Sequence, residues 1–543
     1  MLERLIENWL DSAGERSYQR CFCQMLVGRG YRIVHNTEHT PLEHGKDVIA
    51  ISPDNKVVGF QLKGNPGKSL KPSQFKEIRF QLEQLATYAL GIPGYENKIP
   101  DECYLVTNGE IDEAVSIELQ RLNAALRSRG HPSEKIKTIT RGTLLSWANS
   151  LGLSLWPSEL EDFGNLIKLR DCAGDEIYPA EIFDPLLQHT LRMHETLKAP
   201  ELRRRITSAA IMTAVALHSF SQRKNHFAEM TAWTLFATYT IAACEKNRHN
   251  FTKNGAEAVL IARNVIQSLL GQICDEIPEH GILSEGDTFS EFAFYRPRAL
   301  LIYALLGIYW IWSSAEGWKD PKHKALVEGL IPESLPPQSL WGEGAIPHFL
   351  AFTWYRKRTV SSPALDEYVA TTLREILNNK LGPEGHMPSP YYGIEDVVRH
   401  SYLKMLGCAD PFEGESFEGT SYICEILMMY LVRTNLKERC KELWPDFTRI
   451  NHERIVPDEA WRFALYRTGE EATNTTHIYP STMQWKDLQE LSVEHGEADI
   501  PEALKADPIL LFLFVTIFPF RASLSAVKVL HENFDVPATT IPG

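Results

Sequence analysis

The chain has 543 residues, 44% hydrophobic and 23% charged, an ordinary composition for a soluble protein with two to four domains' worth of core. Its formal net charge of −14 gives no support to nucleic-acid binding by the chain as a whole. Nine scattered cysteines, an odd number, argue against a disulfide framework and for reduced thiols in a cytosol.

Residues 1–30 read as helix, with Leu2, Leu5, Ile6 and Trp9 at helical spacing. Gly14 interrupts, and Tyr18, Phe22, Met25 and Leu26 continue on a second helix. The opening MLERLIENWLD carries charges every few positions and is expected to form no secretory leader. Cys21 and Cys23 point in different directions on such a helix, which argues against a zinc site. Tyr31 to Asn36 is a short strand. Asp47 to Ile51 and Lys56 to Lys63 form a hairpin about the turn residues Ser52-Pro53-Asp54-Asn55. A basic loop, Gly64 to Lys71, leads into a helix over about 74–89. Cys103 to Thr107 is a strand, Ile111 to Arg127 a helix, Lys135 to Thr138 a strand and Thr143 to Ala148 a short helix.

The hairpin carries the chemistry. Side chains alternate along a strand, so Gln61 and Lys63 share one face, and a turn near Asp54-Asn55 brings Asp47 opposite them. A hard cation such as Mg²⁺ takes oxygen ligands and needs only one or two from the protein besides water and phosphate oxygens. Asp47 and the Gln61 amide oxygen can supply these. Lys63 can stabilise charge on an attacked phosphate or help orient and deprotonate an attacking water. The bland alternative is a hairpin end with ordinary surface polar residues.

The pattern Asp47, Gln61, Lys63 within an α-β-β-β-α-β-α-β order resembles the PD-(D/E)XK nuclease superfamily, in particular its Mrr-like restriction endonuclease branch. The VTNGEI segment at 106–111 resembles that family's strand and turn after the catalytic hairpin. The likeness covers about residues 12–150. It implies an α/β restriction-endonuclease-like domain, a mixed sheet flanked by helices, that uses Mg²⁺ or Mn²⁺ to cleave nucleic acid, DNA ahead of RNA. The family usually places a Glu on its first helix. Gln19 occupies that position here, and Glu15, one turn earlier on the same face, is the nearest acid.

Downstream, Gly64-Asn65-Pro66-Gly67-Lys68-Ser69 imitates a phosphate-binding loop. The required earlier Gly is Leu62, and Pro66 and Pro72 remove backbone donors. Lys68 and Lys71 fit better as phosphate-backbone contacts beside a nuclease site, or as a solvated loop.

Residues 151–180 read as a connector and 181–543 as a large all-α C-terminal domain of unassigned family, with no repeat. The apolar runs Ala299 to Trp312 and Ile509 to Phe518 fall short of the ~20 residues of a membrane span and read as core helices. His189 and His194, five apart, do not share a helical face. The acids Glu413, Glu415 and Glu418 read as a solvated loop. Tyr303, Tyr309, Trp310 and Trp312 read as core.

Residues 1–150 hold 19 basic and 18 acidic groups, leaving 37 against 52 in the remainder. The acidic helical half therefore suits a protein partner or self-association better than nucleic acid. The expectation is a cytoplasmic, metal-dependent nuclease with no membrane attachment and a helical sensor or docking domain, the resemblance implying a bacterial restriction or anti-phage setting. Two alternatives stand beside it. One is an inactive nuclease-fold binding module on a helical scaffold, and the other a nucleotide-dependent regulator.

Overall fold

A five-stranded mixed sheet organises the N-terminal part, in the order β1 (Arg32–Asn36), β2 (Val48–Ile51), β3 (Val57–Lys63), β5 (Glu102–Thr107) and β7 (Ile136–Ile139). The computed structural model describes residues 2–36, 46–92, 94–131, 135–151, 160–280, 289–333, 340–360, 364–382, 387–394, 418–467, 474–493 and 500–535, with a few single positions between 283 and 407. β1, β2 and β3 are antiparallel neighbours, while β3–β5 and β5–β7 are parallel. The β2–β3 turn closes through the Ser52 carbonyl and hydroxyl, which accept from Asn55 and Lys56, with Asn55 at φ 61°. Asn is among the few side chains that tolerate this left-handed conformation.

The strands' alternation gives the sheet two buried faces. Ile49, Ile51, Val57 and Leu105 pack against Leu82, Leu85, Leu119 and Leu122 of α3 (Pro72–Thr87) and α4 (Glu113–Ser128). On the other face Phe60 meets Phe22 of α2 (Glu15–Gly28) at 5.2 Å and Tyr104 at 5.3 Å, and Trp147 of α5 (Arg141–Asn149) stacks on Phe22. The first helix, α1 (Leu2–Leu10), is tied to α5 by Arg141, which donates to Asp11 and Glu7. A two-residue parallel pair, β4 (Ser69–Leu70) with β6 (Glu110–Ile111), joins the basic loop to the segment after β5. It was not expected from sequence.

The helices that follow are α6 (Leu160–Asp171), α7 (Ala180–Thr190), α8 (Ala199–Ala216), α9 (His218–Gln222), α10 (His226–Lys246), α11 (Phe251–Asn254) and α12 (Ala256–His280), with α8 packing on α1 and α2. α2 crosses α8 so closely that a Cβ on Gly28 would lie 2.4 Å from Thr207 Oγ1. Arg20 forms a buried ion pair with Glu229 of α10. The chain forms two compact units, residues 1–268 and 269–543, which divide within α12. α6 lies within the stretch 151–180 that the sequence marks as a connector.

The second unit is helix-rich. It includes α13 (Phe289–Glu316), α14 (Pro321–Leu330), α15 (Ile346–Thr359), α16 (Ala364–Leu381), and later helices at Cys424–Arg433, Lys437–Phe447, Pro508–Ile517 and Leu524–Phe534. The expectation of an all-α domain is corrected by a small sheet of Thr420–Ser421, Asn451–Ile455 and Asn474–His477. Its strands are short and mostly polar, so they lack the alternation that marks a strand in sequence. Within α13, Pro297–Glu316 has the length and apolarity of a membrane span, yet 67% of its most apolar window is buried, against α15 and Pro508–Ile517. Tyr309, Trp310 and Trp312 are core residues as expected. Glu413 and Glu415 lie outside the described residues.

Candidate active site at the end of the hairpin

The register that sets Val48 against Phe60 places Asp47 opposite Gln61, on the α3 face of the sheet. Both side chains are buried, at 5% and 4% exposure. Asp47 Oδ2 accepts from Gln61 Nε2 at 2.6 Å and from the Leu62 amide at 2.5 Å. The amide group of Gln61 is thereby oriented, and its Oε1 is buried with no hydrogen-bond partner. A buried acceptor left unpaired costs on the order of 1–3 kcal/mol and asks for an explanation such as an ion or water. Lys63 closes β3 with its side chain 28% exposed, and its Nζ lies 3.9 Å from Glu77 Oε2 of α3.

Glu15 reaches the same strand end, where its Oε2 accepts from the Gly64 amide at 2.6 Å. A Cβ on Gly64 would come within 3.0 Å of Glu15 Cβ, so the approach depends on glycine. Gln19 donates instead to Asn36 Oδ1 at the end of β1, at 2.8 Å. Asn36 pairs with Val48, the residue after Asp47. Lys46 is drawn away under α3, donating to the Ala89 and Leu90 carbonyls, and burial lowers its pKa.

Two residues that sequence reasoning did not single out hold this end together. Tyr18, read as an apolar helix position, is 1% exposed and donates to the Val106 carbonyl at 3.2 Å. Burial, then the carboxylates of Glu15 and Asp47, push its pKa well above the ordinary value, so both acids lie within electrostatic reach of one hydroxyl. Asn108, fully buried, donates to the Leu10 and Ala13 carbonyls at 2.8 and 2.9 Å and accepts from the Asn65 amide at 2.8 Å. The VTNGEI segment carried that signal, as a polar residue between a strand and a turn.

The basic loop is not a phosphate cradle. Its Gly64, Asn65 and Lys68 amides are committed to Glu15, Asn108 and the Asn65 carbonyl. Lys71 is ion-paired with Asp112 at 3.1 Å, which lowers the Asp112 pKa, whereas Lys68 is exposed. Elsewhere, α7 ends at Thr190, so His194 returns from the following turn to within 6.4 Å of the His189 ring, closer than helical spacing suggested. His189 Nδ1 is held by Asp162 at 2.6 Å. Cys21 and Cys23 are buried, and burial pushes the Cys21 thiol far up.

Among the described residues, His, Cys, Asp and Glu nowhere gather in a group of three or more that could hold a metal ion. A cation at the hairpin end would rest on one or two carboxylates and the Gln61 oxygen, with water and phosphate completing the shell. That donor set suits Mg²⁺ or Mn²⁺ rather than zinc. Comparison with family models, with curated proteins and with solved structures finds no match to this chain.

Proposed function

We propose that the chain is a metal-dependent nuclease, its first 150 residues forming a PD-(D/E)XK, Mrr-like domain that cleaves phosphodiester bonds, DNA ahead of RNA. The observation that carries this reading is the orphaned Gln61 Oε1, buried beside the Asp47 carboxylate and two residues before Lys63 on one strand face. Asp47 and Gln61 would hold Mg²⁺ or Mn²⁺, which when bound supplies Lewis acidity and a more acidic water. Lys63 then orients that water or offsets charge on the phosphate as the new phosphorus–oxygen bond forms and the bond to the leaving oxygen breaks. Glu15 is the remaining acid at the strand end, and Lys68 a contact for the nucleic-acid backbone. The helical remainder is assigned sensing, docking or self-association, and the whole a cytoplasmic setting and an anti-phage role.

A second reading, an inactive binding module, draws on one observation: Glu15 is occupied by the Gly64 amide. The nucleotide-regulator reading loses support because the loop's amides are already committed.

The test is incubation of the purified full chain with supercoiled plasmid, linear duplex and single-stranded RNA. Mg²⁺ or Mn²⁺ should support cleavage and EDTA should abolish it. Cleavage persisting in excess chelator, or no cleavage of any of the three in either metal, would overturn the assignment.

A further inference from the structure

Among the described residues of the first 150, the buried polar side-chain atoms left without a hydrogen-bond partner are Arg20 Nε, Gln61 Oε1 and Asn65 Nδ2. Arg20 is already ion-paired with Glu229 through its other nitrogens. The remaining two flank Lys63, one an acceptor and one a donor. Gln61 belongs to the proposed site. Asn65 is 4% exposed, and its role is unassigned.

A backbone group fixes which way the Asn65 amide faces. The Lys71 amide can only donate, and it donates to Gln74 Oε1 at 3.0 Å. Gln74 therefore presents its nitrogen to Asn65, and Nε2 donates to Asn65 Oδ1 at 2.7 Å. Nδ2 is left as the unmet end. The rest of the residue is committed, its amide donating to Asn108 Oδ1 at 2.8 Å and its carbonyl accepting from the Lys68 amide at 3.1 Å. A Cβ on Gly109 would lie 2.5 Å from that carbonyl oxygen, so the turn is seated on a glycine.

A buried donor held in place and left unmet asks for an acceptor. The surroundings select a negatively charged one. Asn65 lies against the first turn of α3, where the helix dipole favours an anion, and the turn it closes carries the exposed Lys68. A divalent cation takes the Gln61 oxygen but cannot use an N–H group, whereas a phosphate oxygen accepts from it. Gln61 and Asn65 stand four residues apart, about 13 Å along extended backbone, too far for one phosphate to serve both.

We propose that Asn65 is a substrate-binding residue, its Nδ2 donating to a nucleic-acid phosphate next to the one attacked. Gln74 is the positioning residue that decides which end of the amide is offered. The place of this contact in a reaction rests on the nuclease reading above, but binding alone decides whether it exists.

The experiment measures binding of fluorescent duplex DNA and single-stranded RNA oligonucleotides to the full chain in EDTA, with melting measured alongside. The proteins are the parent, Asn65→Asp, Gln74→Glu and Ser73→Glu. Asn65→Asp keeps the acceptor for Gln74 and replaces the donor with a carboxylate oxygen. Gln74→Glu keeps the acceptor for the Lys71 amide but draws Nδ2 to itself, so that Asn65 offers an oxygen to the phosphate. Ser73→Glu adds the same charge at an exposed neighbouring position and leaves the amide alone. The first two should bind about 10–100-fold more weakly, as for one hydrogen bond lost to a charged group, and melt within a few degrees of the parent. Ser73→Glu should bind within about threefold of the parent at physiological salt. A Gln74→Glu protein that binds like the parent overturns the proposal, and this variant decides alone if Asn65→Asp fails to fold. An equal loss in Ser73→Glu overturns it as well, because added charge is then responsible. So does a parent that binds neither oligonucleotide. A parent that binds but cuts nothing in Mg²⁺ or Mn²⁺ brings down the nuclease reading alone and leaves the contact to be decided by the binding series.

Discussion

Two buried polar clusters, one in each unit, differ in a way that separates a candidate site from a structural staple. In the second unit Glu343 and Lys380 are 0% and 1% exposed, with Nζ to Oε1 at 3.6 Å. Ser421 donates to Glu343 Oε1, the Tyr422 amide reaches Oε2 at 3.3 Å, and Lys380 donates to the Met387 carbonyl at 2.9 Å. Burial still pushes the Glu343 carboxyl upward, but both its oxygens have partners. At the hairpin, Asp47 and Gln61 are almost as deeply buried, yet Gln61 Oε1 is left unpaired at a strand end beside a lysine that reaches solvent. A satisfied network specifies packing, whereas an orphaned acceptor next to a carboxylate is what makes the hairpin end a candidate site.

The comparison can be broken from either side. Asp47→Asn keeps an acceptor for the Leu62 amide but removes the ligand charge. Cleavage should fall by at least about 10²-fold while melting changes little. A variant that cuts normally, measured by plasmid nicking, would place the site elsewhere. Lys380→Met leaves Glu343 buried without its cation and should destabilise the second unit by about 3–5 kcal/mol, read from its denaturant transition. Below that transition its cleavage rate should match the parent's. A loss of rate in the folded variant would show that the second cluster is not merely structural.

The smallest effect calibrates the rest. Glu102 lies on β5 between Lys56 and Lys137, each at 3.0 Å, and these partners, Lys137 first, lower its pKa from 4.5 to about 2. A depressed carboxyl contributes stability that is present above pH 4.5 and lost as pH falls toward about 2. The contribution is expected to stay under about 1 kcal/mol, as for other partly exposed pairs. Glu102→Gln should therefore melt slightly below the parent at pH 7, with the gap narrowing below pH 4.5 and closing as pH falls toward about 2. A gap that widens with acid would contradict the assignment of charge.

The hairpin was legible because Val48 to Ile51 and Val57 to Leu62 are apolar and flank unmistakable turn residues, and that register alone set Asp47 on Gln61. What could not be read was the orientation of the Gln61 amide, which depends on Asp47 accepting from its nitrogen. Tyr18 was invisible for another reason: its ring obeys helical spacing, and only the strand ends it meets make its hydroxyl significant. The Glu343–Lys380 pair joins residues 37 apart in sequence through contacts that no local pattern encodes. Composition shifts near 150, but no local pattern announces the packing of α2 against α8 or the Arg20–Glu229 pair with α10.

Lys63→Ala tests the central claim most directly. It removes the ammonium and leaves both proposed ligands in place, with the Leu62 and Gly64 amides still held by Asp47 and Glu15. The side chain is partly exposed and its nearest acid, Glu77, is 3.9 Å away, so stability should change by no more than roughly 0.5 kcal/mol. Loss of general acid–base help alone is worth about 10²–10⁴-fold. Measured beside the parent, the variant should melt alike, bind nucleic acid alike and fail to cut. A folded Lys63→Ala protein that cuts as fast as the parent would contradict a catalytic site at the end of this hairpin.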